Sequence, residues 1–160
     1  MKLRNKLDIT VIRANGSQEQ LLPSFNSRTN VGAALVAYLL SNNNLAALFA
    51  PNFPLYIALS TNVLTPAAGD TTLSGETSAT GLARQLGTVA TYTGPASLDA
   101  GASYVLSAIF TNNSGGSLTI NSTGIFDALA SGNLFAEANL SSGQTLGISD
   151  QLLISWTINF

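Results

Sequence analysis

The sequence has no cysteine and no histidine. Zinc and haem centres built on those ligands are therefore excluded. So are Ser–His and Cys–His nucleophiles, and so is a disulfide-stapled scaffold. Charge is scarce too. Only 9% of the 160 residues are Asp, Glu, Lys or Arg, against about 25% in an ordinary soluble domain. Long apolar runs are missing as well. The most apolar stretch, Val31 to Leu40, stops at Ser41-Asn42-Asn43-Asn44. A spanning helix needs roughly 20 residues, so no membrane segment is expected. Glycine patterns match neither a dinucleotide fingerprint nor a phosphate loop, and no DxDxDG calcium pattern occurs. No cofactor or metal is expected on these grounds.

What is present is apolar sequence, 46% of the chain, with a net charge of −2. That composition folds rather than staying disordered. The few charges are unevenly placed. Residues 1–28 hold five basic and two acidic residues, a net +3, whereas residues 29–160 hold one and six, a net −5. So few charges leave a body with little to keep it soluble alone. Coverage by neighbouring proteins is one reading; a Ser/Thr/Asn surface on an ordinary β domain is the other.

Within the first segment, Leu7, Ile9 and Val11 alternate with Asp8, Thr10 and Ile12, which is strand periodicity. Residues 14–28 are polar, broken by Gly16 and Pro23, and read as a linker. This stretch is either an edge strand of the main sheet or part of an extended basic arm. The expectation is an arm over 1–28 that pairs with another chain, followed by a body over 29–160. Residues 30–49 carry apolar side chains near three- and four-residue spacing, which predicts a helix, with Thr29 or Asn30 as its cap.

After Pro54 the period becomes two. Strands are expected at 55–60, 83–93, 102–112, 117–121, 124–127, 133–140 and 151–160, separated by Gly, Asn, Ser and Pro clusters. The fold class is therefore mainly β: an antiparallel β-sandwich with one N-terminal helix and an extended arm. Residues 113–116 and 130–133 read as hairpin loops. Residues 61–79 form a long connection, of the kind that is functional, mobile or buried in an interface.

Acids are the only candidate catalytic groups. A glycosidase needs two carboxylates around one bond. Asp70 with Glu76 and Asp127 with Glu137 are the pairs that sequence proximity offers. The alternative for each acid is a turn or hairpin-edge role, and that reading is preferred, so no enzyme is expected. Nucleic-acid binding needs a basic surface, which the body lacks. A sugar platform would need solvent-facing aromatics, yet Tyr56, Tyr92, Tyr104 and Trp156 all fall in core-like strand patterns.

Three stretches together resemble a family of small structural proteins of tailed-bacteriophage virions. The first is Thr29-Asn30-Val31-Gly32 with the apolar run behind it, leading to Tyr56-Ile57-Ala58-Leu59-Ser60-Thr61. The second is Gly81-Leu82-Ala83-Arg84 followed by Thr88–Tyr92. The third runs from Leu118–Asp127 through Leu134–Ala138 to Asp150–Phe160. The family pattern carries an acid before its Ile/Val-Gly-Leu-Phe, where this chain has Asn121-Ser122-Thr123-Gly124-Ile125-Phe126, and residues 1–28 match nothing in it.

The resemblance implies a virion structural protein. Absence of a repetitive shaft, together with the basic arm, points to a capsid decoration (cement) protein on the capsid exterior, with the major capsid protein as partner and a trimer by analogy. Arm contacts are expected from Lys2, Arg4, Lys6, Leu7, Ile9, Val11 and Arg13, with Arg28 at the joint to the body; β-addition would supply main-chain hydrogen bonds. The alternatives are a tail, baseplate or tail-fibre component of the same virion, and a carbohydrate-binding β module.

Overall fold

A computed structural model of the protein describes residues 5–25, 27–30, 32, 55–93 and 103–159. Among these, eleven strands form two antiparallel sheets. The strands are β1 (Lys6–Ile12), β2 (Gln18–Gln20), β3 (Ser24–Phe25), β4 (Ser27–Arg28), β5 (Tyr56–Ser60), β6 (Gln85–Leu86), β7 (Thr88–Thr93), β8 (Ser103–Thr111), β9 (Leu118–Phe126), β10 (Leu134–Leu146) and β11 (Gln151–Asn159). One sheet runs β2-β1-β11-β8-β7, with β3 also against β1; the other runs β4-β10-β9-β5-β6.

Period-two alternation turns one face of each sheet inward. Leu7, Ile9, Leu106, Phe110, Leu152, Ile154 and Trp156 of the first sheet meet Ile57, Leu59, Ile120, Ile125, Phe135 and Ala138 of the second in one apolar cluster. Burying each such large side chain contributes roughly 1.5–3 kcal/mol.

The expected arm is corrected over its strand. Lys6–Ile12 lies in the sheet of this same chain, antiparallel to β11, with Leu7 opposite Trp156, Ile9 opposite Ile154 and Val11 opposite Leu152. Leu7, Ile9 and Val11 are fully buried there. The physical reason is that β11 has a free side beside β8, and β1 offers the matching apolar alternation. Nor is the following polar stretch plain linker: Gln18–Gln20 and Ser24–Phe25 pair back onto β1, and Ser27–Arg28 pairs with β10.

Of the expected helix over 30–49, only Asn30 and Gly32 lie among the described residues, and both are helical. The Gly32 N–H donates to the Thr29 hydroxyl at 3.0 Å, as at a helix N-cap. The rest of that segment lies outside the described residues, as do Lys2 and Arg4.

Two further differences concern connections. Residues 113–116 do not close a hairpin: β8 and β9 belong to different sheets, so this turn crosses between them. The strands expected at 117–121 and 124–127 are one strand, because Ser122 and Thr123 are buried with their hydroxyls satisfied by the carbonyls of Asn62 and Ala58. The hairpin at 130–133 is as expected, joining the paired strands β9 and β10.

Candidate functional site

The long segment after β5 decides where the acids go. It folds back over the outward face of the second sheet and is held there by hydrogen bonds. Ser60 donates to the carbonyl of Ser74, and the Thr77 N–H donates to Leu59. Asn121 and Ser122 donate to the carbonyls of Thr61 and Asn62. Asn139 acts as a short strand mimic, accepting from the Leu64 N–H at 2.8 Å and donating to the Leu64 carbonyl at 2.9 Å. Beneath this cover a second apolar cluster forms from Ala58, Leu73, Phe126 and Leu134. Gly124 makes the close approach possible: a Cβ there would sit 3.0 Å from Leu134 and 3.3 Å from Leu73.

Glu137 stands on that covered face, in register with Gly124. It is 2% exposed. Its carboxyl shares a hydrogen bond with that of Asp70, from the covering segment, and the Ala67 N–H donates to Asp70 at 2.7 Å. Burial raises the Glu137 carboxyl to about 7, and the adjoining Asp70 pushes in the same direction. Asp70 is lowered by the proton Glu137 donates and by the Ala67 N–H. Near neutral pH one proton thus serves two carboxyls. The Glu137 Oε1 has no hydrogen-bond partner.

Neither pairing of acids expected from sequence proximity forms. Glu76 is held by Arg84 through two bonds of 2.8 and 2.7 Å. The same guanidinium donates to the carbonyls of Ala128 and Ser131 and lies 3.4 Å over the Phe126 ring. Asp127 accepts from the backbone and side chain of Asn133 and so closes the β9–β10 turn. Asp70 and Glu137, 67 residues apart, were not an expected pair. The available signal was one acid inside an otherwise apolar strand, Leu134-Phe135-Ala136-Glu137-Ala138. A retaining glycosidase separates its carboxyls by roughly 5–5.5 Å around the scissile bond. Asp70 and Glu137 instead act on each other through a hydrogen bond between their carboxyls.

The candidate contact residues of the N-terminal segment are dispersed. Lys6 pairs with Asp8 at 3.0 Å. Arg13 donates to the Asp150 carboxylate at 3.0 Å and to the Thr145 carbonyl at 2.6 Å, and stands 3.8 Å from Glu19. Asp150 also accepts from the Ala14 and Gly147 N–H groups. Burial works against its charge, but these donors and Arg13 outweigh it and hold the carboxyl below its ordinary value. The basic charge of Lys6 and Arg13 is therefore engaged within the chain. Arg28 lies in β4, opposite Ala136.

Other chemistry finds little support among the described residues. No group of three or more His, Cys, Asp or Glu gathers into a metal cluster. Trp156 and Tyr104 are buried and Tyr56 is half-buried, while the side chain of Tyr92 lies outside the described ones. The outward faces of β8 and β11 carry no charged side chain. There the exposed apolar residues Leu86 and Ile109 border a shallow depression of about 330 Å³.

The family model described as podophage GP4 fiber I protein gp80 matches residues 29–157, about four-fifths of the chain. No curated protein matches.

Proposed function

From the chain's membership of the podophage GP4 fiber I protein gp80 family, which makes it a structural protein of a tailed-phage virion, we propose that it is a component of the tail-fibre apparatus. The single observation carrying this is the family match across nearly the whole body. The match favours the fibre alternative over capsid decoration, since the family bears a fibre protein's name. Capsid decoration through an arm also has less support in the fold. Such clamping needs a free basic arm, whereas Lys6–Ile12 completes the chain's own sheet and Lys6 and Arg13 are paired internally.

The role is mechanical rather than catalytic. The body offers other virion proteins an uncharged face on β8 and β11 with an apolar border, and association there removes apolar surface from water. Self-association through the same face belongs to this reading.

The test is gold-labelled antibody against the purified chain, imaged on intact particles and on separated heads and tails. Label confined to the fibres or their attachment collar is the expected result. Label distributed over the capsid exterior overturns the assignment. Sedimentation of the purified chain reports self-association, and Ile109→Lys should abolish it.

A further inference from the structure

The turn between β1 and β2 carries the chain's one Asn-Gly pair, Asn15-Gly16. Both residues are exposed. Gly16 has φ +83°, and a Cβ there would meet nothing within 4 Å, so this side of the turn is open to water. Two main-chain bonds close the turn, from the Gly16 N–H to the Arg13 carbonyl and from the Arg13 N–H to the Ser17 carbonyl, each 2.8 Å. The Asn15 side chain is held as well. Its Oδ1 accepts from the Ser17 N–H at 2.9 Å and from the Ser17 hydroxyl at 2.7 Å. Reaching two residues on folds the side-chain amide forward, alongside the Gly16 peptide. Two donors on one carbonyl oxygen also draw electrons from Cγ and would stabilise the negative charge that develops when a nucleophile adds there. Other asparagines are placed differently. The side-chain nitrogens of Asn112, Asn121, Asn133 and Asn139 are tied to protein oxygens, and none of the four precedes a glycine.

We propose that Asn15 is a site of spontaneous covalent modification, at which the Gly16 nitrogen attacks the Asn15 side-chain amide, polarised by Ser17, and the asparagine becomes aspartate or isoaspartate. Hydroxide takes the Gly16 N–H proton. The nitrogen bonds to Asn15 Cγ, the Cγ–Nδ2 bond breaks, and Nδ2 takes a proton from water and leaves as ammonia. A succinimide ring results. Water then adds to one of its two carbonyls. Opening at Cγ gives aspartate; opening at the main-chain carbonyl gives isoaspartate, with the chain running through Cβ. One water is consumed, one ammonia is released, and nothing is oxidised. Glycine favours the attack because no Cβ crowds its nitrogen. The Gly16 bond to Arg13 has to open first, but it is a single exposed hydrogen bond and slows the reaction by at most about tenfold. Either product puts a new carboxylate two residues from Arg13, which already stands between Asp150 and Glu19. Isoaspartate also lengthens the main chain within the turn, against the pairing of Ile12 with Gln18 and Thr10 with Gln20. The modification therefore accumulates with the age of the chain and loosens β2 from β1. The proposal is independent of where the protein sits in the virion.

The experiment incubates the full folded chain at pH 7 and pH 9 beside a sample unfolded in urea. Peptide mapping by mass spectrometry follows asparagine, aspartate and isoaspartate at every asparagine position. Modification of Asn15 ahead of every other asparagine is expected, faster at pH 9, with ammonia released in step. The folded rate should lie within about tenfold of the rate in urea, the cost of opening one hydrogen bond. Ser17→Ala should slow the folded chain several-fold and leave the rate in urea little changed, and Ser17→Thr, which keeps the hydroxyl, should restore it. Earlier modification of another asparagine in the folded chain overturns the proposal. So does a folded rate more than tenfold below the rate in urea, which would mean that the turn protects Asn15, or equal folded rates in the wild type and Ser17→Ala.

Discussion

Replacing Glu137 with glutamine should leave stability nearly unchanged in acid and raise it above neutral pH. The folded chain binds the Glu137 proton more tightly than the unfolded chain does, with the carboxyl raised from 4.5 to about 7. The resulting stabilisation is complete below pH 4.5 and is lost as pH rises through about 7. Each tenfold difference in proton affinity is worth roughly 1.4 kcal/mol. Wild-type stability should therefore fall by about 3 kcal/mol between pH 5 and pH 9, as two carboxylates are forced together on a covered face. Glutamine never ionises, and its amide donates to Asp70 as the protonated acid does. Glu137→Gln should match the wild type within about 1 kcal/mol at pH 5 and exceed it by about 3 kcal/mol at pH 9. The chain's one tryptophan, Trp156, is fully buried, so its emission reports unfolding. Urea titrations at pH 5, 7 and 9 supply the free energies. A variant whose stability falls with pH as steeply as the wild type's would refute the shared-proton account.

Three further perturbations test other parts of the fold. Gly81 has φ +80°, and a Cβ there would lie 1.9 Å from the Thr111 carbonyl oxygen. Gly81→Ala should cost about 2–4 kcal/mol, combining left-handed strain with overpacking, and a change under 1 kcal/mol in urea unfolding contradicts it. Asp150→Asn should cost about 2 kcal/mol at pH 7, mostly through the bonds from Ala14 and Gly147, since Arg13 is partly exposed and its share is screened. The Asp150 carboxyl is lowered, so its contribution is present above pH 3.8 and fades as pH falls; the variant's deficit should shrink in acid melts. Leu7→Ala should cost about 2–5 kcal/mol, as for any large core truncation. Unchanged stability with lost virion assembly would instead restore Leu7 to an intermolecular role.

Much of the architecture is legible in the sequence because alternation is a local signal. Strands β5, β8 and β11 lie within a residue or two of where Leu55–Ser60, Ala102–Asn112 and Gln151–Phe160 place them. What local pattern cannot specify is the partner of a strand. Leu7, Ile9 and Val11 are equally suited to another chain's sheet edge or to this chain's own β11. Charge polarity along the chain favoured the first, but Arg13 finds its acid in Asp150, 137 residues away. Long range also hid the carboxyl pair. Asp70 and Glu137 meet only because residues 61–79 cover the second sheet, and the acids nearer in sequence are taken by Arg84 and Asn133. The Asn and Ser residues that marked loops, Asn121, Ser122 and Asn139, are the hydrogen-bonding groups that hold this cover down.

Antiparallel pairing of β1 with β11 places Lys6 beside Thr157, while Ile12 lies beside Gln151 at the far end. The chain thus enters and leaves the body at one pole of the first sheet. Tension applied between those two points would load the rungs of the β1–β11 ladder in succession, as a zip opens, rather than all at once in shear. Such a body resists a pull across its ends weakly, but it can bear load through its broad faces. An assembly built of such bodies would carry axial force through the contacts between them.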